Sequence, residues 1–345
     1  MPDLLRAEGI EKRYGGVTAL RGAGFALAAG EAHALVGENG AGKSTLAKIL
    51  AGSVRADAGR ILIDENAAHI HNPLDAQRLG IGIIYQELDL FPNLTIGENI
   101  VIGNLKFPES WLVDFRHVDA FCRPFLAQAG LDCGPRELVA ALPIGQAQLV
   151  AVARALSMSA RVILMDEPTS SLGEDAAARL FQTIASLKRD GVSIVYVSHK
   201  MDEIFRVCDR ATVLRDGQTV GVIELRGATP QALVRMMVGR ELAATWQAEA
   251  PAPQGQPLLC VTGLTTSKLR DVSFDLRPGE VLGLAGLVGA GRSELGAALF
   301  GLDPILGGEI RLRGAPVTPH SPAAAMRLGI GLLPEDRKLQ GLMHR

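Results

Sequence analysis

The sequence has few cysteines, no long apolar run and no excess of basic residues. Its four cysteines show no CxxC spacing and are too sparse for a disulfide framework, so we expect reduced thiols. No apolar run approaches the ~18–20 residues that cross a bilayer, and we expect no signal peptide. The formal net charge of −2 argues against a dedicated nucleic-acid-binding protein. A hydrophobic content of 48% in 345 residues predicts folded domains, about two or three of them.

Glycine is abundant, with 39 residues, and the glycines cluster in loops that repeat. The block GEAHALVGENGAGKSTLAKILAG starts at Gly30. A similar block, GEVLGLAGLVGAGRSELGAALFG, starts at Gly279, which is 249 positions later. A period of this length indicates a duplicated domain rather than a solenoid.

The predicted domain organisation follows from this repeat. We predict a first domain over residues 1–240 with a mostly helical insertion at about 89–160, and a linker rich in Ala, Pro and Gln over 241–257. Residues 258–345 are then the N-terminal part of a second copy, and we expect the chain to end inside that copy. Short apolar strands that alternate with helical patterns indicate an α/β fold.

Residues 37–44 match the P-loop pattern GxxxxGK[ST] and lie between a predicted strand and a predicted helix, as that pattern requires. The N–H groups of such a loop surround phosphate, and the helix N-terminus adds partial positive charge. The lysine reaches the β- and γ-phosphates, and the hydroxyl after it binds Mg²⁺. Here the predicted nucleotide-binding residues are Gly37, Glu38, Asn39, Gly40, Ala41, Gly42, Lys43, Ser44 and Thr45.

Two adjacent carboxylates, Asp166 and Glu167, follow an apolar segment. At the carboxyl end of a strand they would enter the crevice where α/β folds bind ligands. Asp166 is predicted to hold Mg²⁺, usually through water, and Glu167 to polarise the attacking water. Gln86 can place its amide near Mg²⁺ and that water, and His199 can hydrogen-bond the water or the γ-phosphate. The predicted catalytic residues are Glu167, His199 and Gln86, and the predicted metal ligands are Ser44, Gln86 and Asp166.

Residues 142–146 read LPIGQ and precede a predicted helix. With the P-loop, the carboxylate pair, Gln86 and His199, this segment makes the chain resemble the ATP-binding subunit of an ABC transporter. Segments 196–205 and 208–217 are similar to those of bacterial monosaccharide importers of the ribose, galactose and arabinose type. The resemblance implies an α/β P-loop ATPase fold with an inserted helical subdomain, followed by a partial second copy.

The same resemblance implies the cofactors ATP and Mg²⁺ and adds four nucleotide-binding residues. Tyr14 falls where the family stacks an aromatic ring on adenine, while Leu142, Gly145 and Gln146 belong to a signature segment that contacts nucleotide across a dimer. Pro143 replaces the signature serine, and we place it at the first position of a helix, which proline tolerates well.

The second copy departs from the pattern of a competent site. Arg292 replaces the P-loop lysine, Glu294 replaces Thr45, and Glu335 replaces Gln86. Because the planar guanidinium does not fit a loop made for an ammonium group, we expect a poor or non-hydrolytic site there.

The resemblance leaves several functions open. The first is an ATP-hydrolysing subunit for sugar uptake, on the cytoplasmic face of the bacterial inner membrane. Its implied partners are transmembrane permease subunits, an extracytoplasmic solute-binding protein reached through the permease, and a second copy in a homodimer, with no nucleic acid. The alternatives are an importer of nucleosides or an autoinducer, a soluble tandem ATPase factor, and a remnant that binds nucleotide with little hydrolysis.

Overall fold

The computed structural model describes residues 3–86, 88–104, 107, 114–170, 172–239, 255–286 and 289–334. The chain divides into two compact units, Met1–Ala243 and Ala244–Arg345. Residues 241–254 of the predicted linker lie outside the described residues, so the predicted boundaries stay predictions. In the described part of the chain, no helix is both long enough and apolar enough to span a membrane.

The first unit contains two sheets. Its strands are β1 (Asp3–Tyr14), β2 (Val17–Ala28), β3 (Ala32–Val36), β4 (Ala58–Ile63), β5 (Asn66–Ala68), β6 (Ile81–Ile84), β7 (Val162–Asp166), β8 (Ser193–Val197), β9 (Arg210–Arg215) and β10 (Gln218–Glu224). An antiparallel sheet has the order β2-β1-β4-β5, and a six-stranded sheet has the order β10-β9-β3-β8-β7-β6. In the larger sheet all neighbours are parallel except β9 and β10.

The helices of the first unit cover the larger sheet. They are α1 (Lys43–Leu50), α2 (Pro73–Arg78), α3 (Ile96–Val101), α4 (Phe115–Gln128), α5 (Ile144–Ser157), α6 (Glu174–Arg189), α7 (Met201–Val207) and α8 (Pro230–Val238). Strands β3, β7 and β8 are buried along their whole length, as expected of parallel strands covered on both faces.

The segment between β6 and β7 contains α3, α4 and α5, whose apolar side chains share one core with the sheet. Helix α3 begins with a capping box in which Thr95 and Glu98 satisfy each other's backbone N–H groups. Asn99 is fully buried and exchanges hydrogen bonds with the N–H and C=O of Phe91. These bonds fix the loop that precedes α3.

The topology brings the predicted site residues to one edge of the larger sheet. The P-loop follows β3, Gln86 follows β6, Asp166 ends β7, and His199 follows β8. Because neighbouring parallel strands end at the same edge, the four segments meet there.

The second unit repeats the antiparallel part of the first. Its elements are β11 (Leu259–Thr265), β12 (Val272–Leu276), α9 (Arg292–Leu299), β13 (Gly307–Leu312), β14 (Ala315–Val317) and α10 (Pro322–Arg327). The strand order β12-β11-β13-β14 matches β2-β1-β4-β5. Helices α9 and α10 begin 249 positions after α1 and α2, which is the offset of the sequence repeat.

Candidate nucleotide-binding site

Two glycines of the P-loop, Gly37 and Gly42, combine a positive φ with a close approach of backbone from other strands. Gly42 has φ 100°, and a Cβ there would lie 2.7 Å from the carbonyl oxygen of Ala19. Gly37 has φ 154°, and a Cβ there would overlap the carbonyl oxygen of Leu214. The loop therefore packs against backbone from β2 and β9, and glycine is needed for this close approach as well as for the turn.

Lys43 is the first residue of α1 and is only 7% exposed. Its ammonium group donates hydrogen bonds of 2.9 Å to the carbonyl oxygens of Gly37 and Glu38, so the side chain curls over the loop. Burial lowers the pKa of Lys43, while the carboxylates of Glu167 and Asp166 oppose that shift. The lysine is thus held as a buried donor within the P-loop.

Asp166, at the end of β7, is buried and accepts a hydrogen bond of 3.4 Å from the Ser44 hydroxyl. Burial raises its pKa, and the neighbouring Glu167 acts in the same direction. Asp166, Ser44 and Gln86 offer only oxygen donors suited to Mg²⁺, namely a carboxylate, a hydroxyl and an amide oxygen. Such a small protein set fits Mg²⁺, which usually takes one or two protein ligands together with phosphate oxygens and water.

Glu167 lies between the other two predicted catalytic residues. Its Oε2 accepts a hydrogen bond of 3.3 Å from Gln86 Nε2, and its Oε1 lies 3.1 Å from His199 Nδ1. Its backbone φ of 47° is unusual for a residue other than glycine. The N–H of Glu167 donates to the carbonyl oxygen of Val197 in β8, which ties this strained position to the neighbouring strand.

Tyr14 and the signature segment lie on other elements of the first unit, β1 and the start of α5. Tyr14 ends β1 with 47% of its surface exposed, and Lys12 Nζ lies 5.6 Å from its ring centroid. Gly145 and Gln146 lie in the first turn of α5, and Leu142 precedes its N-cap residue, Pro143. Among the described residues, no hydrogen bond joins residues 142–146 to the P-loop or to Glu167. The nucleotide contacts of all four residues stay predictions.

One prediction about the signature is wrong by one residue. Pro143 is the N-cap of α5, and Ile144 is the first helical residue. The carbonyl oxygen of Pro143 accepts hydrogen bonds from the N–H groups of Gln146 and Ala147. Its φ of −57° and ψ of 147° are the extended values usual at an N-cap, so proline fits there too.

The corresponding loop of the second unit differs from the first in the exposure of the basic side chain that follows it. Arg292 is the first residue of α9 and is exposed, whereas Lys43 is buried. Gly291 before it has φ 90°, close to the 100° of Gly42. Glu335, which stands in for Gln86, lies outside the described residues.

We expect Asp166→Asn to raise the thermal unfolding midpoint of the nucleotide-free protein at neutral pH. Burial raises the pKa of Asp166, so its contribution to stability is present below the unfolded pKa and is lost as pH rises through the folded pKa. The gain from Asn is therefore largest at neutral pH and shrinks toward the usual aspartate pKa of about 4. Thermal unfolding at about pH 7.5 and about pH 5 checks this, with the exposed Asp202→Asn as control. Destabilisation of Asp166→Asn at both pH values would contradict it.

Several residues that shape the site were missed from the sequence. Ala19 and Leu214 contact the P-loop glycines from distant strands, and no local pattern marks them. Glu203 on α7 accepts hydrogen bonds from Thr169, two positions after Glu167, and from Ser198, which precedes His199. Its position within segment 196–205 was the only signal.

The parallel sheet, the P-loop and the carboxylate pair at one sheet edge define a P-loop nucleotide-binding protein. The sequence model of the family described as "ABC transporter" matches residues 20–170 and 269–344. The chain therefore belongs to the ABC transporter family, which confirms the family and fold class predicted from sequence.

Known proteins similar to this chain agree with that assignment. The ribose import ATP-binding protein RbsA 1 of Streptomyces avermitilis is 46% identical over 342 residues, which are 99% of this chain and 65% of that protein. The putative ribose/galactose/methyl galactoside import ATP-binding protein 1 of Burkholderia lata is 47% identical over 343 residues, 99% of this chain and 67% of that protein. This chain thus spans about two thirds of the length of such relatives.

Solved structures show the same fold. An ATP-binding cassette of an ABC transporter in its ADP conformation has a TM-score of 0.60 and 25% identity, covering 70% of this chain and 100% of that chain. A dimeric cassette in a post-hydrolysis state, bound to ADP and Pi, has a TM-score of 0.56 and 25% identity, covering 65% of this chain and 100% of that chain.

Proposed function

We propose that the first unit binds ATP with Mg²⁺ and hydrolyses it to drive uptake of a simple sugar. The observation that carries the proposal is the contact of Glu167 with both Gln86 and His199, at the sheet edge that also holds Lys43. The relatives named as ribose and galactose import ATP-binding proteins support the sugar as cargo.

In the proposed reaction, Lys43 and the P-loop N–H groups bind the phosphates. Ser44, Asp166 and Gln86 would hold Mg²⁺, which neutralises developing charge on the phosphates. Glu167 accepts a proton from water as the water oxygen attacks the γ-phosphorus, and the bond from that phosphorus to the β–γ bridging oxygen breaks. The products are ADP, inorganic phosphate and a proton. His199 donates to the water or the γ-phosphate and keeps Glu167 in place.

Lys43 supplies positive charge from one side of the phosphates, and a signature segment would supply helix N–H groups from the other. Helix α5 begins at Ile144 with its first N–H groups at a solvent-exposed end, where anions bind well. We propose that Leu142, Gly145 and Gln146 act on a nucleotide held by a second ATPase unit, in a homodimer or a larger assembly. The dimeric solved cassette supports this arrangement.

A groove of about 430 Å³ in the first unit is our proposed contact for a permease subunit. Its lining includes the exposed apolar side chains of Leu74, Phe91 and Ile102, and it reaches Tyr85, the neighbour of Gln86. Exposed apolar clusters of this kind mark protein-binding sites. A permease subunit bound there would contact Tyr85, which directly precedes Gln86 in the chain. This contact would lie on the cytoplasmic face of the inner membrane. A solute-binding protein would act through that permease.

Membrane retention tests this proposal. We expect the chain to stay on membrane vesicles that contain its permease, and to support uptake of labelled ribose or galactose with ATP. Phe91→Glu should lose retention while keeping ATP binding, because a charge enters the apolar groove. Phe115→Glu is the matched control, since Phe115 is 49% exposed against 50% for Phe91. Equal retention of both variants would overturn the groove assignment, and no ATP-dependent uptake of either sugar would overturn the proposed function.

A further inference from the structure

The carboxylate of Glu203 on α7 lies among hydrogen-bond donors from four residues. Thr169 Oγ1 lies 2.7 Å from each of its oxygens, and Tyr196 OH donates to Oε2 at 2.9 Å. Ser198 Oγ donates to Oε2 at 3.4 Å, and Lys200 Nζ lies 3.1 Å from Oε1. The Glu203 side chain thus contacts residues of two loops and of strand β8.

These partners stand next to the residues that contact each other at the site. Thr169 comes two positions after Glu167, while Ser198 and Lys200 flank His199. Lys200 also joins the two loops directly, because its Nζ donates to the carbonyl oxygen of Thr169 at 3.2 Å. Hydrogen bonds therefore connect the loop after β7 to the loop after β8, one or two residues away from the Glu167–His199 contact.

The Glu203 carboxylate and its hydroxyl partners are largely shielded from water, whereas the Lys200 side chain is 43% exposed. The Glu203 side chain is 11% exposed, and Thr169 and Ser198 are buried. Burying a carboxylate in such a place is costly unless it is paired and hydrogen-bonded, as Glu203 is. Removing the carboxylate would in turn leave several donors unsatisfied. Burial raises the pKa of the Tyr196 hydroxyl, which keeps Tyr196 a donor to Glu203.

We propose that Glu203 is a positioning residue that holds the Glu167 loop against the His199 loop and so sets their 3.1 Å contact. The proposal rests on the proposed ATP hydrolysis, in which that contact orients the base and the water. Glu203 does not contact the reacting atoms in this account. It acts through Glu167 and His199.

The test compares steady-state ATP hydrolysis of the full chain carrying Glu203→Gln or Asp202→Asn. Asp202 is the adjacent, exposed carboxylate of the same helix and serves as control. Glu203→Gln should lower kcat about tenfold or more with KM for ATP little changed, because small misplacements of catalytic groups are costly. Asp202→Asn should stay within about twofold of wild type, as most exposed substitutions do.

A double-mutant cycle separates positioning from a general structural role. If Glu203 acts through the Glu167–His199 contact, Glu203→Gln should cost less than about twofold in a His199→Ala background. An equal cost in both backgrounds, or an unchanged kcat in the single variant, would overturn the proposal. A wild-type chain without turnover would instead count against the proposed function.

Hydrogen exchange tests whether Glu203 holds the two loops together, and it does not require ATP turnover. The amides of Glu167, Thr169 and Ser170 and those of residues 198–200 should exchange faster together in Glu203→Gln, and at wild-type rates in Asp202→Asn. Unchanged exchange of either segment in Glu203→Gln would show that Glu203 does not hold the two loops together.

Discussion

Replacing Lys43 by alanine is expected to weaken ATP binding by about a hundredfold or more. The ammonium group is buried at the start of α1 and already donates to two carbonyl oxygens of the loop, so it is held where phosphate oxygens would arrive. Charge-assisted hydrogen bonds of this kind contribute about 1.5–3 kcal/mol each, and water does not replace them well in a closed loop. Equilibrium titration with a fluorescent ATP analogue measures the loss.

Arg292→Ala is the matched control, because Arg292 takes the position of Lys43 in the second copy. It begins α9 as Lys43 begins α1, but it is exposed. We expect its removal to change ATP affinity by less than about twofold, as for most exposed residues. Comparable losses in the two variants would show that the two units bind nucleotide alike.

Glu167→Gln is expected to keep ATP and Mg²⁺ binding and to lose about 10²–10⁴-fold in turnover, the range typical of a general base. Glutamine keeps the size of the side chain and its carbonyl oxygen can still accept from Gln86, but it no longer takes a proton from water. Binding and steady-state hydrolysis measured on the same preparation separate the two effects.

Gln86→Glu provides a comparison for this result, because it keeps the length of the side chain but places a second carboxylate opposite Glu167. We expect it to weaken Mg²⁺-dependent binding through repulsion as well as turnover, whereas Glu167→Gln affects turnover alone. Near-wild-type hydrolysis by Glu167→Gln would remove Glu167 from the role of base.

The parts of the site that depend on local sequence were predictable. The P-loop requires glycines at set spacings before a lysine, and the structure explains two of them, Gly37 and Gly42, by their positive φ and close packing. Asp166 ends a buried strand and Glu167 follows it, so the place of both carboxylates at the sheet edge follows from strand direction. The repeat at 249 positions likewise reappears in the bounds of α9 and α10.

What the sequence did not reveal depends on contacts between distant segments. Glu203 meets Thr169 only because β7 and β8 are neighbours in the sheet, and no spacing rule encodes that meeting. In the same way, the carbonyl oxygen of Leu214 in β9 leaves no room for a side chain at Gly37, although the two residues are far apart in sequence. Pro143 was misplaced by one residue because proline is compatible with both the N-cap and the first helical position.

The central claim is that the first unit alone provides a competent nucleotide site in this chain. The most direct measurement is the stoichiometry of ATP bound with Mg²⁺ to the wild-type chain and to Lys43→Ala, by isothermal titration calorimetry. The account predicts one tight site per chain that is absent from Lys43→Ala. Two equivalent sites per chain, or a tight site that survives in Lys43→Ala, would contradict it.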